Sequence, residues 1–257
     1  MSETVKAEPG PKSAANETVE IIKTVFWALL IALVIRVLLF QPFTIPSASM
    51  EPNLYEGDYI VVTKFSYGYS RHSIPLSPPL FKGRIFEKVP QRGDILVFKT
   101  PHDNHTDLIK RVIGLPGDTI QMKQGLLYLN GELVPRVALP SVREDSGEGY
   151  IRDVGRFRET LPGGKSYVTQ DFGTDGPLDN TDIYVVPDHH YFMMGDNRDN
   201  SEDSRVPAEA GGVGYLPAEN LVGHAQIVLF AWNPGSTMFK PWTWLNFNGS
   251  RFLHELK

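Results

Sequence analysis

The chain of 257 residues has no cysteine, which excludes disulfide frameworks, thiolate zinc clusters and a cysteine nucleophile. It also has no excess of basic residues. With a formal charge of -5 and no basic stripe, nothing in it suits a nucleic-acid backbone. No H-E-x-x-H occurs, so zinc-protease chemistry lacks its ligands and no metal site is expected. No internal repeat is visible. Long apolar runs are scarce as well: residues 221–232 are too few to span a bilayer and contain His224 and Gln226, so they are expected to form a buried strand.

One long apolar run is present. Residues 21–40, IIKTVFWALLIALVIRVLLF, would span roughly 30 Å as a helix, one hydrocarbon thickness. Lys23 and Arg36 sit near its ends, where long side chains reach the interface, and Pro42 and Pro46 stop the helix. Residues 1–20, polar and with Pro9, Gly10 and Pro11, are predicted to be a disordered tail. Lys6, Lys12 and Lys23 lie on or near the amino side, whereas residues 41–60 contain no Lys or Arg, so the tail is expected to be cytoplasmic and residues 41–257 extracytoplasmic. A cleaved secretory leader ending at Ser47-Ala48-Ser49 is the competing reading; Arg36 late in the run and the two prolines argue for an anchor.

Beyond the anchor the pattern alternates with period two. Residues 58–65, 94–99, 107–113, 126–134 and 227–232 are predicted strands, with a hairpin turn at Asn130-Gly131 and a tight turn at Leu115-Pro116-Gly117-Asp118. Proline (20) and glycine (23) suit many short strands and turns. Residues 66–90 and 135–182 are expected to be long loops or a β-rich insertion on the rim of the sheet, the weakest-patterned stretch being 135–185. The fold expected is mainly β, an antiparallel sheet or partial barrel with a small inserted subdomain, tethered by one amino-terminal transmembrane helix.

Three segments concentrate reactive side chains: IPSASMEP (45–52), DLIKRVIGLPGD (107–118) and GDNRDNSEDSR (195–205). Each alone has an ordinary account as a turn, a solvated strand or a polar loop. A Ser-His-Asp triad would need one of the seven histidines, yet His102, His105, His189 and His190 stand in no recruiting motif. A calcium loop at 196–203 fails because Arg198 fills a ligand position and no glycine stands at the sharp turn. A lysine base is more economical. Only the neutral amine accepts a proton, and an ordinary lysine is neutral in roughly one molecule in a thousand near pH 7.4. Burial lowers its pKa. On a strand, Leu108, Lys110 and Val112 share one face and Arg111 turns to the other, so Lys110 can be surrounded by apolar neighbours. A snorkelling surface lysine is the plain alternative.

Together, P-S-x-S-M, K-R-x-x-G-L-P-G-D and G-D-N-R-D-N-S-x-D-S-R, in this order, resemble bacterial type I signal peptidase, from the anchor through about residue 130 and again over about 186–232. The resemblance implies a membrane-bound serine endopeptidase without cofactor, cutting targeting peptides from exported preproteins after small-x-small sites at the outer face of a bacterial cytoplasmic membrane, near lipid and the secretion translocon. By position it implies Ser49 as nucleophile, Lys110 as general base, and Ser47 as partner of the Ser49 N–H in the oxyanion hole. It further implies Ser201 as the hydroxyl that orients the lysine, and Asp203 with Arg205 as a supporting ion pair. Phe43, Ile45, Pro46, Met50, Leu54, Leu108 and Ile109 would line the substrate pockets, with simple core packing the alternative for each. The chain departs from the family in having one amino-terminal apolar segment where many members have two, and in VPAEAGGVG (206–214) after Arg205. Aromatics in residues 238–253 (Trp242, Trp244, Phe247, Phe252) either reach the headgroups or pack as a core edge. A peptidase dedicated to one secreted or pilus precursor would carry the same catalytic residues; a non-enzymatic binding module on a stalk would need neither Ser49 nor Lys110.

Overall fold

The structure, a computed structural model, describes residues 14–145, 151–232, 241–243 and 246–256. Helix α1 (Ala14–Leu38) starts earlier than the apolar run, so the described end of the expected tail is helical, and it stops sooner, leaving Phe40 in a strand. Glu17 in its first turn and Arg36 in its last complement the helix dipole. Its part Asn16–Leu38 has a mean hydropathy of 2.3 and is not buried by the rest of the chain.

The strands follow in chain order: β1 (Phe40–Thr44), β2 (Asp58–Thr63), β3 (Ile95–Lys99), β4 (Asp107–Gly114), β5 (Thr119–Lys123), β6 (Leu126–Leu129), β7 (Glu132–Leu133), β8 (Arg136–Asp145), β9 (Ile151–Thr160), β10 (Ser166–Asp171), β11 (Tyr184–Val185), β12 (His190–Met194), β13 (Tyr215–Pro217), β14 (Leu221–Ala231) and β15 (His254–Glu255). Among the described residues the main sheet is an antiparallel half-barrel in the order β1-β2-β14-β3-β4-β12-β13, with β15 pairing on β14. Pro42 stands on edge strand β1, where a missing N–H costs least. The residues expected as a buried strand at 221–232 form β14, whose register shifts at Ala225/Ile227 and Val228/Phe230 let one long strand bend past two neighbours.

The expected hairpin at Asn130-Gly131 joins β6 to β7, both turn residues having positive φ. Of the two expectations for residues 135–182, the β-rich insertion is the one seen: β8, β9 and β10 form a three-stranded sheet of their own. Alternation shows it weakly because β9 is exposed on much of both faces, while β10 is largely buried. Residues 66–90 are mainly irregular, with a short 3-10 turn at Arg71–Ser73.

One apolar cluster, with Ile45, Met50, Leu54, Ile60, Val97, Ile109 and Val228 buried in it, fills the concave side beneath β1–β4. Each such side chain contributes about 1.5–3 kcal/mol. In the carboxy-terminal stretch the described aromatics Trp242, Phe247 and Phe252 are exposed, Phe247 bridging to Trp232, while Arg251 pairs with Asp58; Met238 and Trp244 lie outside the described residues.

Candidate active site

Ser49 lies on a 3-10 turn, Ala48–Met50, in the loop between β1 and β2. Pro46 fixes the backbone before it, and Ser47 is extended with φ -146°. The loop is cinched at its base by Ile45 N–H to Asp58 O (2.9 Å) and Gly57 N–H to Ile45 O (3.0 Å). Met50 and Leu54, both fully buried, pin the turn to the core from below, with Leu54 N–H donating to Met50 O (2.9 Å). These two were expected in the substrate pocket or in the core; both are fully buried and line neither of the cavities beside Ser49. They pack under the turn in the same apolar cluster as Ile45 and Ile109.

Lys110 lies mid-way along β4, opposite Leu96 of β3. Its Nζ is 2.6 Å from Ser49 Oγ, and the two residues are only 3 % and 7 % exposed. Burial pulls the lysine down to about 8; Asp203, Asp196 and Glu202 pull it back up, and Arg205 depresses it further. The adjacent Arg111 turns away, as the strand alternation requires. It makes a bidentate pair with Asp196 (2.7 Å at each oxygen), stacks over Tyr167 and donates to Gly93 O. Asp203 pairs with Arg205 (2.9 Å) and accepts the Gly195 N–H (3.0 Å). With Asp196 and Asp203 both held by arginines, the 196–203 segment offers no calcium loop.

Ser47 Oγ is 3.4 Å from Ser49 Oγ, on the open side of the turn. Ser201 departs from expectation. Its hydroxyl makes no hydrogen bond to Lys110; Oγ is buried without a partner and packs onto Gly195. Both nonetheless line one open cavity with Ser47, Ser49 and Asn200. On the other side, Phe43, Ile45, Pro46, Leu108 and Ile109 surround a cavity of about 230 Å3 with Ser47, Ser49 and Lys110. No histidine lines it.

Three further residues support the turn. A Cβ at Gly195 would stand 2.2 Å from Ser201 Oγ and 2.6 Å from Ser49 O, so only glycine lets the 195–205 segment approach the serine. Asn197 donates from its backbone to Ser49 O (3.1 Å) and from its side chain to Ala48 O (3.2 Å). Asn53 bonds Asp196 Oδ2 and Val168 O (2.7 Å each), tying the loop after the serine to the β8–β10 arm. Gly195 and Asn197 fall in the GDNRDNSEDSR segment, so their position was visible though their role was not; Asn53 carried no signal. Residues 206–214 fold back over the Asp203–Arg205 pair, Val213 N–H donating to Asp203 O (3.1 Å) and its side chain fully buried.

Residues 18–232 match the family described as signal peptidase, peptidase S26. The chain belongs to that family. It is 42 % identical over 217 residues to the signal peptidase I of Rickettsia canadensis (strain McKiel), covering 81 % of this chain and 78 % of that protein. It is likewise 42 % identical over 213 residues to the signal peptidase I of Rickettsia prowazekii (strain Madrid E), covering 80 % and 77 %. A crystal structure of a signal peptidase I from Enterococcus faecalis V583 is 26 % identical, covering 53 % of this chain and 97 % of that one, with a TM-score of 0.31. The protein is thus a serine peptidase of the signal-peptidase type, its substrates are preproteins bearing signal peptides, and its apolar helix makes it a membrane-anchored one.

Proposed function

We propose that the peptidase cleaves preproteins after small-x-small sites by a Ser49/Lys110 dyad. Neutral Lys110 Nζ takes the Ser49 hydroxyl proton as Oγ attacks the scissile carbonyl. The resulting ammonium gives that proton to the leaving amine, the new amino terminus of the mature protein. Water, deprotonated by the same amine, then attacks the ester and releases the signal peptide as a carboxylic acid, regenerating Ser49. The Ser49 N–H and Ser47 hydroxyl receive the developing oxyanion; one such donor contributes about 3–4 kcal/mol to transition states of this kind.

The observation carrying this reading is the 2.6 Å contact between two buried groups, one of them a lysine drawn down to about 8. The cavity beside Oγ, walled by Phe43, Ile45, Pro46, Leu108 and Ile109, supports an apolar substrate side chain there, and the preference for small residues follows from membership of the signal peptidase family. Orientation follows from the basic residues: the amino end stays in the cytoplasm and the β domain works outside, within roughly 30 Å of the helix end and so close to emerging substrates. A translocon partner would be placed on that side.

Ser49→Ala, Lys110→Ala and Lys110→Arg should each abolish cleavage of a small-x-small precursor with the circular dichroism spectrum unchanged. Arginine fails because guanidinium stays protonated. Full activity in any one of them would end the dyad mechanism. A depletion survey separates a general enzyme, which leaves many precursors uncut, from one dedicated to a single precursor.

A further inference from the structure

A further cavity, of about 280 Å3, opens where α1 joins the β domain, and its chemistry differs from that of the site just described. Arg36 from the last turn of α1, Lys64 just after β2 and Lys99 from β3 converge on it, with His72 and His105 at its wall. The one carboxylate lining it is Asp107, already 2.9 Å from Lys99 Nζ. The cavity is therefore cationic. Lys64 is almost wholly buried, yet the hydrogen bond its Nζ makes is to Ser73 O (2.5 Å), and an ammonium has three donors. Burial and the nearby Arg36 draw Lys64 down to about 8, the behaviour of a cation lacking a counter-ion; an anion seated in the cavity would reverse it.

The surroundings say which anion. Leu38, Leu39, Phe40 and Phe65 are exposed at the end of α1, and residues 74–89 carry Leu76, which is 96 % exposed, together with exposed Leu80, Phe86 and Val89. In water such a collar is unfavourable, whereas at a bilayer it lies among acyl chains. The 25-residue helix is ~37 Å long, more than the ~30 Å hydrocarbon layer, which puts Arg36 and the cavity mouth at headgroup depth.

We propose that this cavity binds the phosphodiester headgroup of an anionic bilayer lipid, whose acyl chains run along the end of α1 and the exposed apolar side chains of residues 74–89. The inference rests on α1 crossing a membrane and is independent of the Ser49/Lys110 chemistry. Its effect would be to clamp the junction of anchor and β domain, holding the substrate cavity at a fixed height above the lipid. Asp107, which lines both cavities, connects the two.

The test uses the full chain, stripped of lipid in a neutral detergent, with bound lipid counted by native mass spectrometry. Phosphatidylglycerol is titrated in, and a diacylglycerol with the same acyl chains and inorganic phosphate serve as comparisons. Wild type should retain phosphatidylglycerol, not the diacylglycerol, with phosphate unable to displace it at equal concentration. Arg36→Gln, on an exposed helix face where folding is not at stake, should weaken retention about five-fold, the factor for one basic residue near a lipid surface. Arg36→Gln with Lys99→Gln should weaken it further, and Arg36→Lys with Lys99→Arg should restore it. Equal retention in the Gln double variant would overturn the proposal. So would diacylglycerol binding as tightly, which would leave only an apolar surface, or displacement by phosphate, which would leave only a free-anion site.

Discussion

Titrating the peptidase across pH tests the dyad through the one property that makes it work. With Lys110 at about 8, the neutral amine makes up ~9 % of the enzyme at pH 7; a lysine at its ordinary 10.5 would supply ~0.03 %. Burial is thus worth roughly 300-fold in competent enzyme. The logarithm of kcat/KM should climb with unit slope from pH 5 to 7 and level off just above 8, since kcat/KM reports the free enzyme. The assay is cleavage of a quenched fluorescent peptide with an A-x-A site. Glu202, an exposed carboxylate that raises Lys110, gives a control that leaves the core untouched: Glu202→Gln should move the limb to lower pH by a few tenths of a unit. Glu51 also titrates in this window, pushed up to about 7 by burial and by Glu144, Glu56 and Asp58, so Glu51→Gln should leave the limb in place. A limb near 6.5 would point to an imidazole base, and one near 10 to a solvated lysine. Either result would refute the reasoning.

Lys110→Met should destroy activity and yet stabilise the fold, by up to about 3 kcal/mol in denaturant titrations. The sign follows from a folded pKa below the unfolded one: the unfolded chain binds the extra proton, so the wild-type penalty is complete below pH 8, shrinks from about 8 to 10.5 and is gone above, and the variant's advantage should shrink with it. Gly195→Ala should reduce kcat/KM at least a hundred-fold with KM changing less, since the added methyl must push Ser49 and Ser201 apart; an active variant would deny the close approach. Asp196→Ala should lower stability by about 3–5 kcal/mol in the same titrations, leaving Arg111 buried without its carboxylate.

The short segments around Ser49, Lys110 and Asp203 pointed to the proposed chemistry because reactive groups sit in fixed local settings: a serine after a proline, a lysine on an alternating strand, an Asp and an Arg two residues apart. The anchor was legible for the same reason, since bilayer thickness sets a run length that a sequence either meets or fails. The hairpin at Asn130-Gly131 was legible through the positive φ its turn demands. The β8–β10 arm was legible only as one of two options, a β-rich insertion beside long loops, because a strand such as β9, exposed on both faces, leaves no alternation.

By itself, then, the sequence determined the anchor, the alternating strands and the residue types for a Ser/Lys reaction, all properties of neighbours along the chain. The tertiary structure alone decided that Met50 and Leu54 are buried in the core cluster under the serine turn, that Ser201 rests on Gly195, and that Asn53 ties the loop to Asp196. It also brought Arg36, Lys64 and Lys99 around one cavity. The physical reason is separation: a buried contact between residues far apart in the chain is fixed by how sheets close and what fills the space between them, and no local pattern encodes that.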